Sequence, residues 1–561
     1  MKITYENKSN KFVIQCEAHE NRIVMGLSDK RFRKASRTWG VPALRRNIEY
    51  MRQHMNNSTM YSEEALAIYN NPLKTPNQIK QLFPSWYKFK KFQPMKHQQV
   101  SLDHAINMDE YGLFYEQGLG KTFTTINLAT AWRMNNQINA VVVVCPSSIK
   151  LVWEDELEDH CPIDHQVHAM MAGKYKKVDK FLEEPNDFKW LIVGVEALSQ
   201  GGAIDYMKKF LMTHNCLMVI DESSTIKTPN KTRTDRCIDA GLLAKKRMIL
   251  SGTSITQGIE DLYTQLRFLN PDIIGFNSFF TFRANYCVTM TQEVGFKNGR
   301  PITVQKIIGY QNEDELIKSI SPYVTRVEKV DALDLPEKVY QKRYVEMSKQ
   351  QLKVYTEMKQ ELFMEVGGQE YEVTTVLEQM LRLQQITGGF YPFDDGEKII
   401  AEPIPGKNAK IEELKKVMEE TQGKVVIWCM FRHEIEAVAE ALRKMEIKTV
   451  QFHGGCDDTE KKFAVHSFRK DPEVKVFLAT KAAARGLTLI EASTSIYYSV
   501  GYSLEDYEQS QDRIHRIGQT DPCTYIHLIC PRTIDVKALI ALRDKKNVAQ
   551  IVYDSLKMGI Q

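Results

Sequence analysis

No two of the ten cysteines stand in a C-x-x-C pair, so neither a zinc knuckle nor a dithiol redox motif is expected, and scattered single cysteines suit a reduced cytosol. No apolar run approaches the ~20 residues of a membrane span. Residues 1–4 carry no signal-peptide core. Low-complexity tracts and internal repeats are absent, and no nuclease constellation stands out. Neither charge sign dominates, with 75 Lys/Arg against 71 Asp/Glu in 561 residues. Disulfide scaffolds, membrane channels and disordered chains are thereby disfavoured, leaving a globular protein of three or four domains.

The charge that is present is uneven. Residues 1–90 hold 16 Lys/Arg against 7 Asp/Glu, while the remainder is slightly acidic. The basic run Lys30, Arg31, Arg33, Lys34 and Arg37 is suited to phosphate contact; the alternative is a solvated basic face. Residues 1–55 read as a small module, with strands at 11–16, 21–25 and 37–42 and a helix over 43–55. Residues 56–90 read as a linker. From 91 to 271, short unalternating apolar runs at 140–145, 190–195, 216–220 and 247–250 predict strands buried on both faces of a parallel sheet. Helical stretches between them predict a doubly wound α/β lobe. Residues 272–405 read as a mostly helical insertion. The alternation resumes at 424–429 and continues through 448–452, 475–479 and 494–498, so 406–561 reads as a second lobe.

The chemistry concentrates in three strings. Gly118-Leu119-Gly120-Lys121-Thr122 has the glycines that let backbone N–H groups approach phosphates, a lysine for the β/γ-phosphates and a hydroxyl for Mg²⁺. The full phosphate-loop pattern wants glycine where Tyr115 stands. Asp221 and Glu222 end an apolar run, where one carboxylate holds the metal and its neighbour orients the attacking water; a helix-capping acidic pair is the alternative. Arg513 and Arg516, three apart, face one way on a helix and suit a role in stabilising γ-phosphate charge, or else form a surface charge cluster.

From Phe92 to Ala549 the chain resembles the Swi/Snf-type superfamily 2 helicase-like ATPases, with every motif in order. Residues 92–98 resemble the adenine-side entry, which makes Gln98 the base-reading glutamine. Residues 115–122 resemble motif I, and 145–153 motif Ia, which implies DNA-backbone contacts by Ser147, Ser148 and Lys150. Residues 221–224 resemble the Asp-Glu-x-His box, 250–254 motif III and 425–431 motif IV. Residues 479–487 resemble motif V, which implies Thr480 and Lys481 at DNA and Gly486 at the nucleotide. Residues 509–519, from Gln509 to the His-Arg-Ile-Gly-Gln string, resemble motif VI. The N-terminal module resembles the small basic domain of annealing helicases, through residues 12–14 and 39–42. Departures are Ser224 for histidine, Ser254 for proline and Thr488 for asparagine, which touch ATP–DNA coupling rather than hydrolysis.

The resemblance implies an α/β fold of two tandem RecA-like doubly wound parallel-sheet lobes with a helical insertion, plus a small N-terminal α+β module. It implies ATP and Mg²⁺, with Arg513 and Arg516 completing the site when the lobes close. It also implies DNA-stimulated translocation on duplex or branched DNA with little sequence preference. Remodelling, reannealing or branch migration, as in DNA repair and recombination, ranks above a strand-separating helicase on DNA or RNA, and above a non-hydrolysing DNA-binding scaffold. The expected form is a monomer, without membrane contact, in a bacterial or viral host cytoplasm, or in the nucleus if eukaryotic.

Overall fold

The computed structural model describes residues 1–543 except 8–9, 56–58, 71–81, 172, 186–187, 253–257, 298–299, 334, 367–372, 395–398, 481–482 and 484–486. It divides into two compact units, with one boundary between Glu328 and Lys329.

The first unit holds a seven-stranded sheet. Its order is Val324–Val327, Glu110–Tyr115, Lys246–Leu250, Cys216–Asp221, Ala140–Cys145, Lys189–Gly194 and Gln166–Ala169, and every pairing is parallel. The strands Ala140–Cys145, Lys189–Gly194 and Cys216–Asp221 are buried at every position. Runs such as Ala140-Val141-Val142-Val143-Val144 therefore need no polar alternation. Parallel pairing sends each crossover through a helix and gathers the strand C-termini on one edge, where ligands of such sheets bind.

Ahead of this sheet lies a five-stranded one, ordered Arg31–Arg33, Thr38–Pro42, Lys11–Gln15, Lys2–Glu6 and Met60–Tyr61. It packs Ile3, Phe12, Ile14 and Val41 against Ile48 and Met51 of the helix Arg45–His54. Residues 21–25, read as a strand, instead form the helix Asn21–Met25. Ile23 and Val24 favour strand locally, but Glu17 and Glu20 form a capping box just upstream, which starts the chain helically.

The second unit has a six-stranded sheet, again parallel throughout: Lys338–Tyr344, Cys523–Ile529, Ala492–Tyr497, Lys424–Trp428, Val474–Ala479 and Lys448–Phe452. Both α/β lobes implied by the resemblance are thus present. Within 272–405, read as mostly helical, Val324–Val327 and Lys338–Tyr344 are edge strands of the two large sheets, and Cys287–Lys297 pairs with Arg300–Tyr310. The expected helices do form, as Lys349–Val366 and Val373–Thr387. Among the described residues no helix is long and apolar enough to cross a membrane.

Candidate functional site

The strand Glu110–Tyr115 runs into a loop that opens the helix Lys121–Met134. Gly118 and Gly120 have φ of 82° and 77°, the left-handed region where a side chain is strained, and Leu119 between them is buried. A Cβ on Gly120 would stand 2.3 Å from Gln98 Nε2, so Gln98 lies against the loop. Its amide is held at both ends: Nε2 donates to the Leu119 carbonyl at 3.1 Å, and Oε1 accepts from the Met95 N–H at 2.9 Å. Lys121 Nζ donates to the Tyr115 carbonyl at 3.1 Å, which keeps the ammonium at the mouth of the loop. Thr122 is half-buried in the first helical turn. Tyr115, the departure from the phosphate-loop pattern, turns its ring inward and bonds Ser101 Oγ at 2.5 Å, so its bulk stays out of the phosphate path.

Asp221 ends its strand at the same sheet edge. Its Oδ2 accepts from Trp153 Nε1 at 2.9 Å and its Oδ1 from the Glu222 N–H at 2.9 Å. Burial, and then the Glu222 charge, push the Asp221 carboxyl up to about 6, while Lys121 and Trp153 pull it down. Glu222 adopts φ of 49°, and its buried Oε2 has no hydrogen-bond partner. A left-handed non-glycine residue beside an orphaned carboxylate oxygen is a cost that functional sites carry. The residues fit a hydrated divalent cation: two adjacent carboxylates, one short of partners, and a hydroxyl at a helix N-terminus. Among the described residues no group of three or more His, Cys, Asp or Glu forms a protein-only metal site. A cation here would therefore share its coordination with water and phosphate, as Mg²⁺ does.

In the second unit, the helix Leu504–Gln511 leads into the predicted arginines. Arg513 is buried; its Nε donates to the Gln509 carbonyl at 2.8 Å and its Nη1 to the Leu487 carbonyl at 2.8 Å. Arg516 Nη1 donates to that same Leu487 carbonyl at 3.2 Å. The two side chains converge on that carbonyl, but not as neighbours on a helix as expected: the helix ends at Gln511, and both arginines lie in the turn that follows it. Gln509 is buried, with Nε2 donating to Glu505 Oε1 at 3.2 Å.

The residues expected at DNA are placed less uniformly. Ser148 is exposed, Ser147 Oγ donates to Glu196 Oε2 at 2.7 Å, and Lys150 Nζ donates to the Met170 carbonyl at 2.9 Å. The Thr480 N–H donates to the Phe452 carbonyl at 3.2 Å. Lys481, Gly486 and Ser254 lie outside the described residues. Arg31, Lys34 and Arg37 are exposed, whereas Lys30 donates to the Leu27 carbonyl and Arg33 pairs with Glu6 at 2.8 Å.

Sequence reasoning missed Trp153, which orients Asp221; its place in the motif Ia string was the available signal. It also missed Arg326, whose Nη1 donates to the Phe114 and Gly252 carbonyls, both at 3.1 Å, because nothing in a lone arginine announces such partners.

Comparison with known proteins matches residues 46–388 to the SNF2-related domain and residues 409–518 to the helicase conserved C-terminal domain. An uncharacterized ATP-dependent helicase of Mycoplasma genitalium is 23% identical over 80% of this chain and 40% of its own length. A Caenorhabditis elegans homolog of SWI/SNF-related matrix-associated actin-dependent regulator of chromatin subfamily A-like protein 1 is 23% identical over 88% of this chain and 65% of its own. The human DNA annealing helicase and endonuclease ZRANB3 is 23% identical over 80% and 39%. The chain thus spans less than two thirds of each of these relatives. A Sulfolobus solfataricus SWI2/SNF2 ATPase core in complex with dsDNA is 21% identical, with a TM-score of 0.37 over 84% of this chain and 96% of that one.

Proposed function

Because the chain belongs to the SNF2-related family of ATP-dependent helicase-like proteins, we propose that it hydrolyses ATP in response to DNA and uses the cycle to move along duplex or branched DNA. The observation that carries the chemistry is the meeting of the Gly118–Gly120 loop, Lys121, Asp221 and the orphaned Glu222 at one sheet edge.

The glycine loop and the start of its helix offer N–H groups to the phosphates, and Lys121 exchanges the Tyr115 carbonyl for phosphate oxygen. Gln98, already against the loop, is the residue for the adenine. Asp221 with Thr122 would hold Mg²⁺, which would supply charge neutralisation to the phosphates. Glu222 Oε2 accepts a hydrogen bond from the attacking water and takes its proton. Arg513 and Arg516 supply positive charge to the γ-phosphate as it leaves, a preorganised electrostatic role. Ser147, Ser148, Lys150, Thr480, Lys481 and the basic N-terminal residues are assigned to phosphates of DNA, which position without reading sequence. Remodelling, reannealing or branch migration is the favoured output, since relatives include a protein named as a DNA annealing helicase.

The test is steady-state hydrolysis with no nucleic acid and with single-stranded, duplex and forked DNA. Duplex or forked DNA should stimulate the wild type most. Lys121→Ala and Glu222→Gln should each lower kcat about 10²-fold or more while DNA binding persists. DNA-stimulated turnover surviving in either variant would refute the site assignment.

A further inference from the structure

The boundary between the two units falls between Glu328 and Lys329, and three of the four residues 326–329 are bonded to motif backbone, Arg326 and Val327 on one side of it and Lys329 on the other. On the first-unit side, Arg326 is buried and one of its nitrogens bridges the carbonyls of Phe114 and Gly252. Phe114 precedes Tyr115, whose carbonyl accepts from Lys121. Gly252 belongs to the string resembling motif III. A Cβ on Gly252 would lie 3.1 Å from Gln117 Cγ and 3.5 Å from the Tyr115 carbonyl, so this backbone is packed directly on the phosphate loop. The Val327 carbonyl then accepts from the Glu116 N–H at 2.9 Å, one residue into that loop. On the second-unit side, Lys329 is buried; its Nζ pairs with Asp512 at 2.5 Å and donates to the His515 carbonyl at 2.9 Å. Asp512 precedes Arg513, and His515 precedes Arg516. Burial would raise the Asp512 carboxyl, yet Lys329 and Lys338 hold it down at about 2, so the pair is ionised.

We propose that Arg326 and Lys329 are positioning residues that couple the phosphate loop to the motif VI arginines through the short strap 326–329. Both side chains are buried and bonded to backbone. Each fixes the strap to a different motif. A buried guanidinium nitrogen shared by two carbonyls and a buried ammonium on a carboxylate are charge-assisted attachments. Two or three peptide units between them leave little slack. A change in the loop on nucleotide binding is therefore felt at Asp512 and His515, and hence at Arg513 and Arg516. The inference rests on the ATPase reading above and adds to it a route between two of its parts. The physical warrant for such a route is an energetic coupling between the two ends.

The experiment compares full-length wild type with Arg326→Lys, Lys329→Gln, Lys329→Arg and the Arg326→Lys/Lys329→Gln double variant. It reads kcat and KM for ATP at saturating duplex DNA, alongside Tm. Arg326→Lys keeps the charge but loses the planar guanidinium and shortens the reach to the two carbonyls, and Lys329→Gln keeps much of the volume, so both preserve packing as far as possible. Expected are a kcat reduced about 5-fold or more in each of these two, an unchanged KM for ATP, recovery in Lys329→Arg, and a double variant no slower than the worse single one. Unchanged kcat in Lys329→Gln would overturn the proposal. So would losses that multiply in the double variant, which mark independent roles, or losses that track Tm with no recovery in Lys329→Arg. Wild-type hydrolysis tests the ATPase reading and the variant ratios test the strap, so the two fail separately.

Discussion

At the scale of single residues, the nucleotide site carries its costs openly. Glu222 is left-handed with a buried unsatisfied oxygen, and Asp221 is an acid whose charge burial opposes. A second buried acid has no such excuse in hydrolysis. Glu434, in the helix Arg432–Arg443, accepts from Ser499 Oγ at 2.6 Å and from the Met430 and Phe431 N–H groups, while its Oε1 has no partner. Burial raises its carboxyl to about 7, against the pull of Ser499, Lys410 and the two N–H groups. The folded chain thus keeps a proton that the unfolded chain releases near 4.5. The stability this contributes is full below that pH and is lost as pH rises through about 7. Glu434→Gln, which cannot ionise, should therefore gain Tm relative to wild type between pH 5 and pH 8. A Tm difference that is flat across this range would show that Glu434 is ionised throughout.

At the scale of elements, the N-terminal module and the first large sheet exchange helix caps. The helix Phe279–Tyr286 has no cap from its own Ser278. Instead Asp29 accepts from the Asn277 N–H at 2.5 Å, the Ser278 N–H at 3.3 Å and Thr281 Oγ1. In return Asp272 accepts from the Arg45 N–H at 3.0 Å, at the uncapped start of Arg45–His54. Arg46 adds an ion pair to Glu315 at 2.8 Å and lies over the Phe276 ring. Orphan N–H groups at helix starts need acceptors, and here each comes from another part of the chain. Asp29→Ala should cost about 1 kcal/mol and speed hydrogen exchange in residues 279–282; unchanged exchange there would show that the cap is idle. No window of sequence announces these caps, since 248 residues separate Asp29 from Asn277. The same limit explains the missed edge strands. Val324–Val327 is only four residues long, and Lys338–Tyr344 is largely exposed and polar, so neither carries the apolar run that betrayed Cys216–Asp221. The phosphate loop and the acid pair were legible because their chemistry is local: backbone approach needs glycine, and metal chemistry needs adjacent carboxylates. The partners that orient them, Trp153 and Arg326, were not, because each acts across the fold.

At the scale of the whole molecule, the question is where a nearly neutral chain would grip a polyanion. The basic excess sits in the first 90 residues, and the structure sorts it. In the five-stranded sheet, pairing register sets Lys2, Lys11, Arg31 and Arg33 on the face opposite Ile3, Phe12, Ile14 and Val41. That apolar set faces the core, so the basic set faces outward. Not all five residues of the linear basic run are equally available. Arg33 is paired with Glu6 and Lys30 with a backbone carbonyl, whereas Arg31, Lys34 and Arg37 are exposed. A cation that already has a partner must give it up to reach a phosphate, so its net contribution to binding is smaller. The slope of log K against log salt counts the phosphates neutralised, at about 0.9 for each on duplex DNA. Replacing Arg31, Lys34 and Arg37 with Ala should therefore flatten that slope by about 0.9 for each phosphate no longer neutralised, and should do so more than replacing Lys30 and Arg33. Equal slopes in wild type and the triple variant would move the DNA grip off this module and onto the motif residues of the two units. A larger effect from Lys30 and Arg33 would mean that their internal partners are released when DNA arrives.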